Sequence, residues 1–427
     1  MKRYLIFLQN NPQYRTLWLA SVVTMLGDWF NAIGTVILIN RYTGSGTAVA
    51  ALFLARTLPS FLLGPLAGVL ADRLNRKWIL IISDVLRGFV VLGFLLADTP
   101  QEVWLVYVLV LAQAIVSAFY YPAHSAIVPG LLHRKEDLLL ANTLGSITWS
   151  AILALGAALG GLTAAFFGVQ TALIIDAATF FISGAMTTVI VLPADKEEGE
   201  ETAVSSGWAD FVAGLRYVSQ QPRIGLITLV KSMMETGHLD TLVAVFAATI
   251  FPLGEDGALT MGILFAARGV GAVLGPVVAN RLGNEETKTL QRAIGIGFGI
   301  IIAGWLLLGV APSLPLAAGA LLLRSMGGSI NWTYSSALLQ MEVPDHYLGR
   351  VFALDIALLT FTGSLSIWLT GLALDKLGTG PHGVALLAAL VTVGPLLLWL
   401  TKMWDWSSGV TATAVTVIKP IEKEQQP

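Results

Sequence analysis

About twelve apolar runs, each of roughly 18 to 25 residues, divide this chain of 427, and no other feature limits its fold so strongly. Segments of that length and greasiness match the thickness of a bilayer. In lipid every backbone amide must be satisfied from within, which leaves helices as the structure such runs can adopt. They lie near 16–39, 46–70, 78–97, 103–122, 138–165, 169–192, 224–251, 258–281, 290–310, 314–340, 350–374 and 382–404. Composition agrees: 55% of residues are hydrophobic and 12% charged, about half the charge of an ordinary soluble protein. The expectation is an all-α polytopic membrane protein of 12 transmembrane helices.

The longest polar stretch falls between the sixth and seventh runs and splits the chain into two sets of six. The expected units are an N-terminal six-helix bundle at 1–192, a cytoplasmic linker at 193–223, a C-terminal six-helix bundle at 224–404 and a disordered cytoplasmic tail at 405–427. The linker begins acidic and ends as an amphipathic helix with Trp208, Phe211, Leu215 and Val218 on one side. Orientation follows from the bases. Eighteen of the 25 Lys and Arg residues fall at the termini or in the loops on the same side as them. Arg41 and Lys376 alone fall on the other side, and five lie inside spans. The positive-inside rule then places both termini in the cytoplasm of a cell-membrane protein. The first fifteen residues hold too short an apolar run for a signal peptide and read as a cytoplasmic lead-in. A net charge of -2 gives no basic body to hold nucleic acid, and the absence of Cys removes thiolate metal sites and disulfides.

Charges inside the bilayer are expensive, at least about 2.5 kcal/mol each on lenient insertion scales, so they should face protein or water. In the first span Ser21, Thr24, Asp28, Asn31 and Thr35 recur every three or four residues and share a helical face. The seventh span repeats the pattern with Thr228, Lys231, Glu235 and His238. The fourth carries Gln113, Ser117, Tyr120 and His124, and the tenth Arg324, Gly328, Asn331 and Ser335. Interhelical hydrogen bonding explains single Ser and Thr residues; the charges call for more. Asp28 and Arg56 share a depth at about 1.5 Å of rise per residue, which suggests a pair. Lys231 with Glu235 and Asp84 with Arg87 have helical pairing distances. A carboxylate kept from water holds its proton more readily, so Asp28 and Glu235 are the candidates for proton coupling. Substrate-cavity candidates are Thr24, Asn31, Arg56, Gln113, Tyr120, His124, Lys231, His238, Arg324, Asn331 and Ser335. Trp29, Phe30, Trp332 and Tyr334 join Tyr120 as possible aromatic walls.

The stretch 64–77, GPLAGVLADRLNRK, closes the second span. Gly64 and Gly68 sit four apart and open one helix face to close approach, while Asp72 can cap a neighbouring helix or pair with Arg73 and Arg76; Lys77 completes the basic run. Positive flanking charge alone explains the bases but not the Gly and Asp spacing. ANRLG at 279–283 echoes ADRLN at 71–75, each after a Gly-Pro pair, as two related bundles would leave in sequence. The spacing G-x-x-x-D-R-x-x-R-K resembles the loop signature between helices 2 and 3 of the major facilitator superfamily, with Asn75 where that pattern usually has Gly. The resemblance implies a latch role for Asp72, Arg73 and Arg76 on the cytoplasmic side. It also implies a major facilitator fold whose central cavity is lined by helices 1, 4, 7 and 10. Gly156, Gly160 and Gly161 in the fifth span resemble the family's exporter motif, with Ala157 in place of its Pro. LGDWF at 26–30, TGSG at 43–46, LPSFLLGPLAGVLADRLNR at 58–76, YPAHSAIVP at 121–129 and VPDHYLGRVFAL at 343–354 resemble the macrolide-efflux and siderophore-exporter branch. His124 stands where that branch would carry Arg.

No phosphate-binding loop, dinucleotide fingerprint or metal-ligand cluster appears, so neither an enzyme nor a cofactor is expected and an ion gradient is the remaining energy source. The expected function is secondary export of amphipathic small molecules, drug-like or siderophore-like, in exchange for protons or another coupling ion, by a monomer working through alternating access. Nutrient uptake or lysolipid flipping is the alternative within transport. A non-transporting receptor or scaffold is the alternative outside it, though such a protein would be expected to carry a soluble signalling domain.

Overall fold

A computed structural model describes residues 2–134, 137–191, 207–279 and 287–407. At some helical positions, among them 64, 68, 72 and 73, the backbone is described and the side chain is not. The described residues form helices and contain no strand. In chain order they are α1 (Lys2–Asn10), α2 (Pro12–Thr43), α3 (Gly46–Arg73), α4 (Arg76–Gly93), α5 (Val103–Ile127), α6 (Asp137–Phe167), α7 (Val169–Thr188), α8 (Gly207–Gln220), α9 (Pro222–Met233), α10 (Leu239–Val245), α11 (Ala258–Ala279), α12 (Thr287–Gly309), α13 (Leu314–Glu342), α14 (Asp345–Lys376) and α15 (Gly380–Ser407).

Nine helical stretches among the described residues are long and apolar enough to cross a membrane. Helices α3 and α13 and the α9/α10 pair stand at the remaining expected positions. Local sequence sets the ends. Pro12 starts α2, where its missing N–H costs nothing, and Gly44 ends it in the left-handed conformation (φ 58°). Ser45 caps α3 by accepting from the Ala48 amide, and Asn75 caps α4 by accepting from Trp78. The expected lead-in folds as α1, whose Phe7 ring meets Tyr14 at 5.2 Å.

The seventh span departs from expectation. Its helix stops at Met233 and restarts at Leu239, with His238 capping the restart and Gly237 at φ +71° between them. A side chain at Gly237 would lie 2.6 Å from the Ala388 methyl, so both conformation and space require glycine. Helical periodicity therefore does not carry from Lys231 to His238.

Packing follows one rule twice. In the first half α2 packs on α6 and α7, α3 on α5, and α4 on α5 and α7. In the second, α11 packs on α13, α12 on α13 and α15, and α9 on α13 and α14. Between the halves α3 meets α14 and α6 meets α11. The second helix of each half thus meets the fifth of the other, as a two-fold axis along the membrane normal requires. Gly161 carries the second seam: a Cβ there would sit 2.6 Å from the Gly262 Cα, so the backbones of α6 and α11 touch. Gly160 faces the Trp29 backbone and Gly156 its indole, so the small residues of the fifth span serve close packing. Helix α8 sits on α14 through Gly214 against Arg350 and Tyr217 stacked 4.3 Å from Tyr347, while Val218 packs toward Gly225 of α9; Leu215, expected on that side, is exposed. The side chains of Trp208 and Phe211, residues 192–206, most of the 279–283 echo and the tail from 408 lie outside the described residues.

Candidate transport cavity and gates

In the first half, burial forces the interior charges to find partners, and the partners are not all those the spacing suggests. Asp84 and Arg87 pair at 2.5 Å, both buried, with Ser183 donating to the other Asp84 oxygen at 2.8 Å. The Arg87 guanidinium also lies over the rings of Tyr120 at 4.1 Å and Phe180 at 4.5 Å. Arg56 does not pair with Asp28. It donates to Asn31 Oδ1 at 2.8 Å and Thr35 Oγ1 at 2.7 Å, because the face it meets on α2 lies a turn beyond the acid. Asp28 is half-buried. Thr24 is buried and donates within its own helix, Gln113 is half-buried, and His124 Nε2 lies 2.8 Å from Ser21 Oγ while its ring stacks near Tyr120. Thus two polar groups meet α2 at different heights: Arg56 with Asn31 and Thr35, and Arg87 with Tyr120, His124 and Ser21.

In the second half the break in α9/α10 dictates the contacts. Lys231 is buried and pairs with Asp355 of α14, under the rings of Trp332 at 4.7 Å and Phe352 at 5.4 Å. It does not pair with Glu235, because the helix that would align them has ended. Arg324 donates to the Met234 carbonyl at 2.9 Å, satisfying one of the acceptors the break leaves free. Glu235 is half-buried in the link. Arg268 pairs with Asp240. His238 donates its amide to Thr370 at 2.8 Å and meets the Phe53 ring at 5.2 Å across the seam between halves. Asn331 is fully buried against Gly297 of α12, and Ser335 is buried and bonded to its own helix, so both turn away from an open cavity.

Two joints fasten the halves at the end away from the chain termini. Asp375, at the end of α14, accepts from Ser45 Oγ at 2.7 Å and from the amides of Gly46 at 2.8 Å and Thr47 at 3.0 Å. These are the first, otherwise unpaired donors of α3, and the carboxylate meets its positive end. Gly46 permits the approach, since a Cβ there would lie 2.7 Å from Leu374. Beside it Arg41 pairs with Glu255 and Asp256 of the second half. At the other end Arg76 donates to the Ala126 carbonyl at 3.0 Å and Lys77 to that of Thr188 at 2.8 Å, both within the first half. Gly64 and Gly68 lie on α3, and the side chains of Asp72 and Arg73 fall outside the described residues.

Sequence reasoning missed Asp176, Asp355 and Asp375. Each is a lone acid in or at the end of an apolar run, a signal the stripes of α2 and α9 outshone.

A family model described as Major Facilitator Superfamily matches residues 17–366. The chain belongs to that superfamily. This major facilitator protein is 23% identical over 381 residues to macrolide efflux protein A of Streptococcus pyogenes, covering 86% of this chain and 90% of the relative. It is 24% identical over 352 residues to the enterobactin exporter EntS of Shigella boydii, covering 81% and 82%. Among solved structures it resembles the nucleoside transporter NupG in a mutant form (TM-score 0.72, 14% identity, 92% of this chain and 100% of that one). A bacterial homologue of the lysosomal transporter Spinster, solved inward-facing and unoccupied, gives TM-score 0.70 at 14% identity, with 93% and 97% covered. The chain is therefore a multi-pass membrane transporter of small molecules and not an enzyme.

Proposed function

We propose that this transporter exports amphipathic small molecules in exchange for protons, its two bundles rocking about a cavity between α2, α5, α9/α10 and α13. One observation carries the reading. The halves are joined by polar contacts at the end away from the termini, through Asp375 to the start of α3 and through Arg41 to Glu255 and Asp256. Contacts of that kind exchange readily with water, unlike a packed apolar seam, and so suit a gate. On this reading the termini are cytoplasmic, the joined end is the outer gate, and Asp72 with Arg73 and Arg76 forms the inner latch that closes when the outer joint parts. The efflux and exporter relatives favour export, and Asp28 and Glu235 are candidate carboxyl groups for coupling.

The test uses inverted membrane vesicles from cells expressing the protein, loaded against a panel of fluorescent amphipathic compounds. Expected is accumulation driven by an imposed pH gradient and abolished by a protonophore. Accumulation indifferent to the gradient would exclude antiport, and movement only in the reverse direction would exclude export.

A further inference from the structure

The proton-binding residue can be narrowed by counting charge. Histidines aside, five acidic and basic side chains lie at depth in the first half: the acids Asp28, Asp84 and Asp176 and the bases Arg56 and Arg87. In the second half six do: Glu235, Asp240 and Asp355 against Lys231, Arg268 and Arg324. The second set balances, and two of its acids are directly paired. The first carries one carboxyl too many. Arg87 is committed to Asp84, and Arg56 to Asn31 and Thr35. An uncompensated carboxylate away from water is costly enough that such a group stays neutral, so the excess acid must hold a proton.

Geometry says which acid. Asp176, on α7, is 0% exposed, and no Lys or Arg among the described residues pairs with its carboxyl group; the polar side chain that faces it is Asn31. It lies against α2 where Gly27 leaves room: a Cβ at Gly27 would come within 2.6 Å of Asp176 Oδ1. Asp28 is the next residue and is half-buried, and Asn31, one turn on, turns its amide group toward Asp176. The charges acting on Asp176 are Asp28 of α2, Arg56 of α3 and Arg87 of α4, while α6 carries no charged residue beyond Asp137 at its start.

We infer that Asp176 holds the transporter's exchangeable proton and that Asp28, beside it across Gly27, is the relay by which that proton enters and leaves. The inference rests on the proton-coupled reading above and assigns it to the first half; Glu235 then serves charge balance at the break.

The test reads protonation without transport. The purified full chain and its Asp176→Asn, Asp28→Asn and Glu235→Gln variants are reconstituted in liposomes, and the infrared carbonyl stretch of protonated carboxyls is followed from acid to alkaline pH. Expected is a titrating band that Asp176→Asn removes and Glu235→Gln leaves in place. Asparagine matches the neutral acid in shape, so the variant should fold. In Asp28→Asn the band should persist but titrate at lower pH, because a neighbouring negative charge that favours the proton is gone. A band that survives Asp176→Asn, vanishes only in Glu235→Gln, or is unmoved by Asp28→Asn would overturn the assignment. A band that follows Asp176 while a pH gradient drives no transport would sink the antiport reading and leave the proton site standing.

Discussion

The two halves share a packing plan but bury charge differently. In the first, helices run unbroken and the tight ion pair is local, Asp84 with Arg87 on α4. In the second, the pairs bridge elements: Lys231 of α9 with Asp355 of α14, and Arg268 of α11 with Asp240 of α10. The broken α9/α10 accounts for part of the contrast. Ending a helix in the interior frees carbonyls that need donors, and Arg324 supplies one to Met234. Where the rods stay straight no such donor is needed, and the charge that remains is a carboxyl. A single fold thus separates a half whose ion pairs bridge elements around a broken helix from a half of continuous helices, where the proton site proposed above lies.

The largest effect should come from breaking a bridging pair. Asp355→Ala leaves the Lys231 ammonium buried and unpaired and should destabilise the protein by about 3–5 kcal/mol, read as a fall in melting temperature. Adding Lys231→Met to an Asp355→Leu variant should recover most of that loss; if Asp355→Ala melts like the wild type, the pair is not what holds α9 to α14. Next is the seam between halves. Gly161→Ala drives a methyl group into the Gly262 backbone, which cannot rotate away, and should cost about 1–3 kcal/mol. On the same helix Gly145 has open space where its Cβ would be, so Gly145→Ala should be neutral or stabilising by up to about 1 kcal/mol. Equal effects at the two positions would mean that helix propensity and not the seam is being measured.

Much of this was legible in the sequence, and the failures share a cause. The apolar runs gave the helical class because lipid permits so few solutions, and the i, i+3 spacing of Asp84 and Arg87 gave their pair because one continuous helix fixes the distance. The same logic failed for Lys231 and Glu235, since a glycine at φ +71° removed the helix that the spacing assumed. Asp28 and Arg56 were matched by depth, but depth does not fix rotation, and Arg56 faces Asn31 instead. Asp355 and Asp375 take their meaning from partners on elements far away in the chain, at Lys231 and at the start of α3, and periodicity within a single helix carries no information about those.

The remaining predictions compare the two joints of the proposed outer gate. Asp375→Ala removes a cap of the kind worth about 1 kcal/mol and should raise the population of the parted state several-fold. The chain has no Cys, so Val245→Cys, beneath the joint and beside Asp375, gives a single reporter of access from that side. Its labelling by a water-soluble maleimide should speed up accordingly. Arg41→Gln should act more weakly, by about 0.2–1 kcal/mol, because its side chain and that of Glu255 are 33% and 42% exposed and water screens the pair. Salt separates the two. It should weaken the exposed Arg41 pairs, so high ionic strength should speed labelling of the wild-type background and have little further effect once Arg41→Gln is present. In Asp375→Ala the salt response should persist, since the lost contacts there ran to backbone amides of α3 and the Arg41 pairs are intact. If Asp375→Ala abolishes the salt response as well, the two joints open as one unit and the carboxylate cap is a precondition for the ion pairs beside it.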